Sequence, residues 1–204
     1  VNTQVQNTLP EIGSSLEGGF YAGRIQIDGI LYALIVAPKV EGERDGVAWL
    51  ESEQRVADAN SYNNGMLNTR AMLEAGSEVA QWAHGLAIGG YTDWYIPSQD
   101  ELEIIYRNLK PTAETNSLYG RSGVNISAPP PTFAYNRELP AKTTAEGFAA
   151  GGEHAFADEW YWSSTQNAAY DDFAWGQLFV IGNQGYIPKS ARRRARAVRR
   201  LTIQ

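Results

Sequence analysis

Residues 89–102 read Gly-Gly-Tyr-Thr-Asp-Trp-Tyr-Ile-Pro-Ser-Gln-Asp-Glu-Leu. The glycine pair breaks whatever precedes it. An aromatic, extended segment follows over residues 91–97. Ser98 then stands three residues before Glu101, the spacing of a capping box. The hydroxyl can accept from the N–H of Glu101, and the carboxylate can reach back to the N–H of Ser98. Leu102, Ile105, Tyr106 and Leu109 recur at helical spacing, and Pro111 stops the run. An extended segment that feeds directly into a capped amphipathic helix is the fixed point from which the chain can be read in both directions.

On the N-terminal side, residues 68–84 suggest one helix, capped by Asn68, with Met72, Val79 and Trp82 on its apolar side. Residues 60–65 are a turn cluster, and residues 52–59 suit a short helical turn. Farther back, residues 20–27 and 30–37 are rich in β-branched and aromatic residues and flank Asp28-Gly29. That dipeptide suits a two-residue type I′ turn, in which both positions need positive φ. A β-hairpin is expected there. Residues 1–17 are polar and read as an extended arm or linker, leaving residues 18–204 as the domain.

On the C-terminal side, residues 112–157 contain three consecutive prolines and a glycine cluster and show no period. A stretch this long is expected to be a functional loop system or a packed Ω-like excursion. Residues 160–165 and 175–181 alternate as strands, 182–185 connect to Tyr186-Ile187, and 191–203 alternate again. No internal repeat is present.

The chain has 204 residues and no cysteine. The absence removes disulfide scaffolds, thiolate metal sites and cysteine nucleophiles together. Residues 1–188 carry ten basic and 23 acidic residues, net −13; residues 189–204 carry seven basic residues and no acid, net +7. Such a tail is either a basic arm for nucleic acid or a segment folded onto the acidic body. Strand-spaced Ala195, Ala197, Val198, Leu201 and Ile203 favour the second, with arginines paired inside the molecule. No apolar run is long enough for a spanning helix, and residues 1–19 do not form a signal peptide.

Four segments together resemble a known family. They are Gly89-Gly90-x-x-Asp93-Trp94-x-Ile96-Pro97-Ser98, Trp160-Tyr161-Trp162-Ser163-Ser164-Thr165, Ala174-Trp175-Gly176-Gln177-Leu178-Phe179-x-x-Gly182 and Arg196-Ala197-Val198-Arg199. In this order they are similar to the Lcl C-terminal domain family, a formylglycine-generating-enzyme-like variant of the C-type lectin fold. The resemblance implies an α+β fold: twisted antiparallel sheets, two helices, long loops, and paired N- and C-terminal strands. It departs at Tyr95, where the family usually has Arg. The chemistry of formylglycine-generating enzymes needs cysteine and is not inherited. Glu-Pro-Asn, Gln-Pro-Asp and Trp-Asn-Asp are absent, so a calcium-dependent sugar site is not supported. No metal or other cofactor is expected.

Catalytic signals are weak. His84 and His154 have no sequence-local partners in a metal-ligand pattern. Asp158-Glu159 and Asp171-Asp172 could pair as in glycoside hydrolysis, but loop surface charge is the plainer reading. No nucleophile elbow or phosphate loop occurs. The chain is expected not to be an enzyme. Tyrosine and amide side chains suit adaptable recognition. The candidate ligand-binding residues are Tyr161, Ser163, Gln166, Asn167, Tyr170, Asp171 and Tyr186, with Tyr161 and Ser163 turned outward by strand parity, while Trp94, Trp162 and Trp175 are assigned to the core. The resemblance implies a phage or prophage tail-fibre tip that binds a host cell-surface glycan or protein through loops 112–157 and 163–190. Expected partners also include other tail proteins, met through the N-terminal arm, and two further copies in a homotrimer. Nucleic acid and membrane insertion are not expected. The expected location is the virion, after synthesis in the host cytoplasm. Alternatives on the same scaffold are a retroelement-diversified binding protein and a bacterial surface adhesin module. A polysaccharide hydrolase or a nucleic-acid binder is less favoured.

Overall fold

The computed structural model describes residues 9–130, 132 and 134–203. Strands β1 (Ser15–Leu16), β2 (Gly19–Ile27) and β3 (Ile30–Val36) begin the first sheet. The β2–β3 turn has Asp28 at φ 50° and Gly29 at φ 81°, the type I′ geometry expected. The last strand, β9 (Val198–Thr202), pairs antiparallel with β3, giving the order β1-β2-β3-β9. The N-terminal hairpin and the C-terminal strand therefore share one sheet. Part of the expected arm belongs to it too: β1 pairs with β2, and Ile12 packs on the core. Residues 1–8 of that arm lie outside the described residues.

The second sheet contains β4 (Glu43–Ala48), β5 (Trp160–Gln166), β6 (Phe173–Leu178), β7 (Asn183–Pro188) and β8 (Arg192–Arg196). Its order is β4-β8-β5-β6-β7, antiparallel except where β5 meets β8. The run 191–203 is not one strand: Ala197 carries the chain from the second sheet to the first. The reverse crossing runs through one turn of helix, α1 (Lys39–Gly42). The crossings touch. Ala37 N–H donates to Ala197 O at 3.0 Å, and Ala197 N–H donates to Gly42 O at 2.9 Å. Beside them Arg196 Nε donates to Glu43 Oε2 at 2.9 Å, with side-chain exposures of 0% and 5%. Arg196 also donates to Ala37 O and His154 O and lies over the Phe156 ring. Tyr161 OH and Arg194 complete the donors around Glu43.

Helix α4 (Gln99–Leu109) has the expected capping box, with both Ser98 and Glu101 engaged. Every residue of it is buried, so its amphipathic spacing does not mark a solvent face. Residues 112–157 cover its polar side. Asn125 Nδ2 donates to Asp100 O at 2.9 Å and to Glu103 at 2.6 Å, while Lys110 Nζ donates to Asn116 at 2.7 Å. The irregular region is thus a packed excursion, with one 3-10 turn (Glu146–Phe148) among its described residues. On the other side, Asn108 donates to Ala22 O at 2.8 Å in a bulge of β2. A Cβ on Gly23 would lie 2.3 Å from that amide, so close approach requires glycine.

Residues 65–84 form two helices rather than one: α2 (Gly65–Glu74) and α3 (Glu78–His84). Gly76, at φ 81°, breaks the run, and Ser77 caps α3. Asn64, not Asn68, caps α2. Asn68 lies inside the helix and bonds Ser61 in the preceding turn cluster. Residues 52–59 make turns without a helix. One apolar cluster joins β2 and β3 to α4 and Phe179; another sets Trp49, Met72, Val79, Trp162 and Ile187 between the second sheet and α2–α3. Among the described residues no helix is long and apolar enough to cross a membrane.

Removing Glu43 would leave the Arg196 guanidinium charged and buried. Glu43→Ala is expected to lower unfolding free energy by about 3–5 kcal/mol in urea titration. Asp100 supplies a pH test. Desolvation pushes its pKa up to about 6, against the Ser127 hydroxyl and the Arg121 guanidinium. The folded chain then holds this proton where the unfolded chain releases it, so stability from this group rises as pH falls from about 6 to 4. Asp100→Asn is expected to stabilise by about 2 kcal/mol at pH 7–8 and to remove this part of the dependence in paired melting curves.

Candidate ligand-binding surface

The β6–β7 hairpin forms one end of the second sheet, and β7 is its edge. Trp175 and Tyr186 are directly opposed across the two strands, as are Phe173 and Pro188. Period-two alternation puts Phe173 and Trp175 on the same face. The loop 167–172 brings Tyr170 onto it. Ring centroids lie 5.6 Å apart for Tyr170–Tyr186, 5.5 Å for Phe173–Tyr186, 5.7 Å for Trp175–Tyr186 and 6.0 Å for Tyr170–Phe173. Tyr170 and Tyr186 remain 52% and 49% exposed. Four rings thus form a continuous aromatic shelf, half open to solvent.

Buried polar ties fix the shelf. Asn167 Oδ1 accepts from the N–H groups of Ala169 and Tyr170 at 2.8 and 3.1 Å, which folds the loop back on itself. Lys189 is buried, and its ammonium donates to Gln54 O at 2.7 Å, Gln166 Oε1 at 3.0 Å and Asp171 O. Its Nζ also stands 4.7 Å from the Trp49 ring centre. Desolvation draws the Lys189 pKa down to about 8, which leaves it largely protonated at neutral pH. Gln166 in turn holds both the N–H and the C=O of Val56, at 3.0 and 2.8 Å. On the rim, Arg55 pairs with Asp171 at 2.5 Å. Along the β7 edge, Ser122 Oγ accepts from Gln184 N–H at 3.1 Å and Ser117 N–H donates to Ile181 O at 2.8 Å. Residues 117–122 thus cover part of an edge that would otherwise offer itself to another strand.

Of the seven expected ligand residues, the structure brings Tyr170, Asp171 and Tyr186 to this surface. Tyr161, Ser163, Gln166 and Asn167 are buried. β5 lies between β8 and β6 with apolar clusters on both faces, so parity does not separate inside from outside. Tyr161 packs on Phe156 and Phe179, its hydroxyl donating to Glu43 at 3.0 Å. Ser163 Oγ donates to Trp175 O at 2.9 Å. Gln166 and Asn167 are positioning residues. Trp94 and Trp162 are in the core as expected, but Trp175 is only partly buried and belongs to the shelf. The Phe173-x-Trp175 spacing opposite a tyrosine was the available signal.

Of the four suspected acids, Asp171 pairs with Arg55 and Glu159 with Arg194 at 2.9 Å. Among the described residues no group of three His, Asp or Glu side chains is arranged to hold a metal ion. Several arginines of the C-terminal end are paired with acids as well. Arg192 meets Glu51, and Arg199 grips Asp93 through Nε–Oδ1 at 2.7 Å and Nη2–Oδ2 at 3.1 Å.

These features define an α+β domain of two sheets and four helices, with an aromatic surface at one end of its second sheet. The chain belongs to the Lcl C-terminal domain family, which matches residues 39–199. The N-terminal hairpin that receives β9 lies before the matched region. Among solved structures, it is similar to a fimbrial protein from Bacteroides ovatus ATCC 8483, at 15% identity and a TM-score of 0.45. That likeness covers 81% of this chain and 35% of the other, so the chain spans about a third of that protein. Comparison with curated proteins finds no match.

Lys189→Met would leave Gln54 O and Asp171 O without this donor and Gln166 Oε1 with the Val56 N–H alone. It is expected to cost about 2 kcal/mol of stability. The amides of Ala169 and Tyr170 should also exchange faster with deuterium, whereas those of α4 should change only as global stability does.

Proposed function

We propose that this domain is a surface-binding module whose ligand lies on the aromatic shelf formed by Tyr170, Phe173, Trp175 and Tyr186. The observation that carries the reading is a cluster of four rings held half exposed by buried ties. Contiguous exposed apolar surface of this kind marks interaction sites. Ring faces carry partial negative charge and suit the C–H faces of a sugar, while the tyrosine hydroxyls and the Arg55–Asp171 rim supply hydrogen bonds. Tyrosine brings large contact area with few torsions to freeze. Pairing of Asp171 with Arg55 supports recognition without chemistry.

In the finer form of the proposal, the chain is the receptor-recognising part of a phage or prophage tail fibre. Its target is a glycan or protein on the host surface, and its location is the virion. Residues preceding the first sheet would join it to the fibre. Assembly as a homotrimer would raise weak single-site affinity through avidity.

Adsorption of the purified, fluorescently labelled protein to candidate host cells tests the reading, with a glycan array to resolve the ligand. The double variant Tyr170→Ala, Tyr186→Ala should lose at least about tenfold in binding, as expected when aromatic anchors are truncated. Its melting temperature should fall by several degrees, since the edge-to-face ring contacts are lost with the two side chains, but the variant should remain folded. Undiminished adsorption by a folded double variant would remove the shelf from the binding site.

A further inference from the structure

A cleft of about 550 Å³ opens between α2 and β9 and shares no residue with the aromatic shelf. Met66, Leu67 and Leu73 of α2, together with Trp94, give it an apolar wall. Met66 and Leu67 are 39% and 48% exposed although the helix they belong to packs on the second core cluster. The charged groups lining it are mostly accounted for. Arg70 meets Glu74 at 3.6 Å on the solvent side, and Asp93 is gripped by Arg199. His84 ends α3 at the edge of the cleft.

Arg200 is different. Its side chain is 12% exposed, and its guanidinium carbon stands 4.7 Å from the Tyr32 ring centre and 5.9 Å from that of Tyr95. Its Nη1 donates to Asn64 Oδ1 at 3.1 Å, and the Tyr95 hydroxyl also lies within its reach. Its nearest carboxylate, Glu101, is 3.8 Å away. That carboxylate already accepts from Tyr95 OH at 2.7 Å, Ser98 N–H at 2.7 Å and Gly65 N–H at 3.1 Å. A guanidinium has five N–H donors in a planar fork. The cleft therefore holds a largely buried, rigidly held cation, in part engaged by Asn64, Tyr95 and Glu101 and with donors of its fork left over, beside an apolar wall.

We propose that this cleft binds a small carboxylate with an apolar body, the carboxylate paired with Arg200 and the hydrocarbon or ring against Met66, Leu67 and Leu73. The fork geometry matches a carboxylate in two parallel hydrogen bonds. A neutral apolar ligand would further desolvate the guanidinium without pairing it, which is unfavourable. A compact inorganic anion would leave the apolar wall unused.

Isothermal titration of the intact protein with octanoate and 4-phenylbutyrate provides the test, with octanamide and inorganic phosphate as comparisons. Both carboxylates should bind saturably, and octanamide and phosphate at least about tenfold more weakly. Arg200→Gln should cost a similar factor. Because Arg200 also packs against two tyrosines, Leu67→Glu gives a second readout at an exposed position in the first turn of α2, where an acid is compatible with the helix dipole. It should weaken octanoate by about tenfold through like-charge repulsion while leaving the melting temperature unchanged. The shelf variant Tyr170→Ala, Tyr186→Ala should bind octanoate as the parent does. Equal affinity for octanamide or phosphate, unaltered octanoate binding by Leu67→Glu, or no saturable binding up to about 10 mM would overturn the proposal.

Discussion

The two sheets are joined where the chain crosses between them twice, and the Glu43–Arg196 ion pair closes that junction. Glu43 begins β4 and Arg196 ends β8, and the two are register partners. Two residues beyond Arg196 the chain enters the first sheet; before Glu43 it has left it. The side chain of Arg196 bonds both passages, through Glu43 and Ala37 O, and the long excursion as well, through His154 O. Two charges taken from water are tolerated only when their donors and acceptors are filled, and here Tyr161 OH and Arg194 complete the set. A hydrophobic pair of similar volume could fill the space. It could not tie three backbone segments in one register.

The charge asymmetry of the sequence has the same explanation. The final arginines lie in β8 and β9, and acids drawn from distant parts of the chain meet several of them: Glu43, Glu51, Asp93 and Glu159. A basic tail and an acidic body are two halves of one set of contacts. Most of the exposed pairs contribute little individually. The buried ones fix direction and register, which is why guanidinium forks rather than ammonium groups stand at those positions.

What could be read from sequence followed from local physics. Asp28-Gly29 dictated its turn, and Ser98 with Glu101 dictated a helix start, because both depend on neighbours within a few residues. Asn68 misled for the opposite reason. Asn64 and Asn68 have the same capping chemistry, and the choice was made by Ser61, which the preceding turn brings to Asn68. Tyr161 and Ser163 misled because alternation distinguishes faces only when one of them is wet. The period in α4 was correct, but its polar face is roofed by residues 112–157, whose contacts with it are long-range and leave no period of their own. The shelf was half legible: Tyr170 and Tyr186 stood out as tyrosines in loops, whereas Trp175 resembled a core residue until its strand was set at the outer end of a sheet.

The same sheet that buries Trp162 exposes Tyr186, and the difference arises from strand order alone. β5 has a neighbour on each side and a core on each face. β7 has one neighbour, and the residues that cover its edge, 117–122, reach its backbone without roofing the ring of Tyr186. Rings left half open gain less from burial than core rings do, yet each edge-to-face contact among them still contributes about 0.5–1.5 kcal/mol. Those contacts order the shelf without a ligand, and the Asn167 and Lys189 bonds hold its loop from below. Side-chain entropy at the surface is thereby lost on folding rather than on binding, which is the condition under which a small aromatic patch can bind selectively. The family motifs, with the exception of Trp175, are spent on the scaffold, and recognition is left to the loop and strand residues between them.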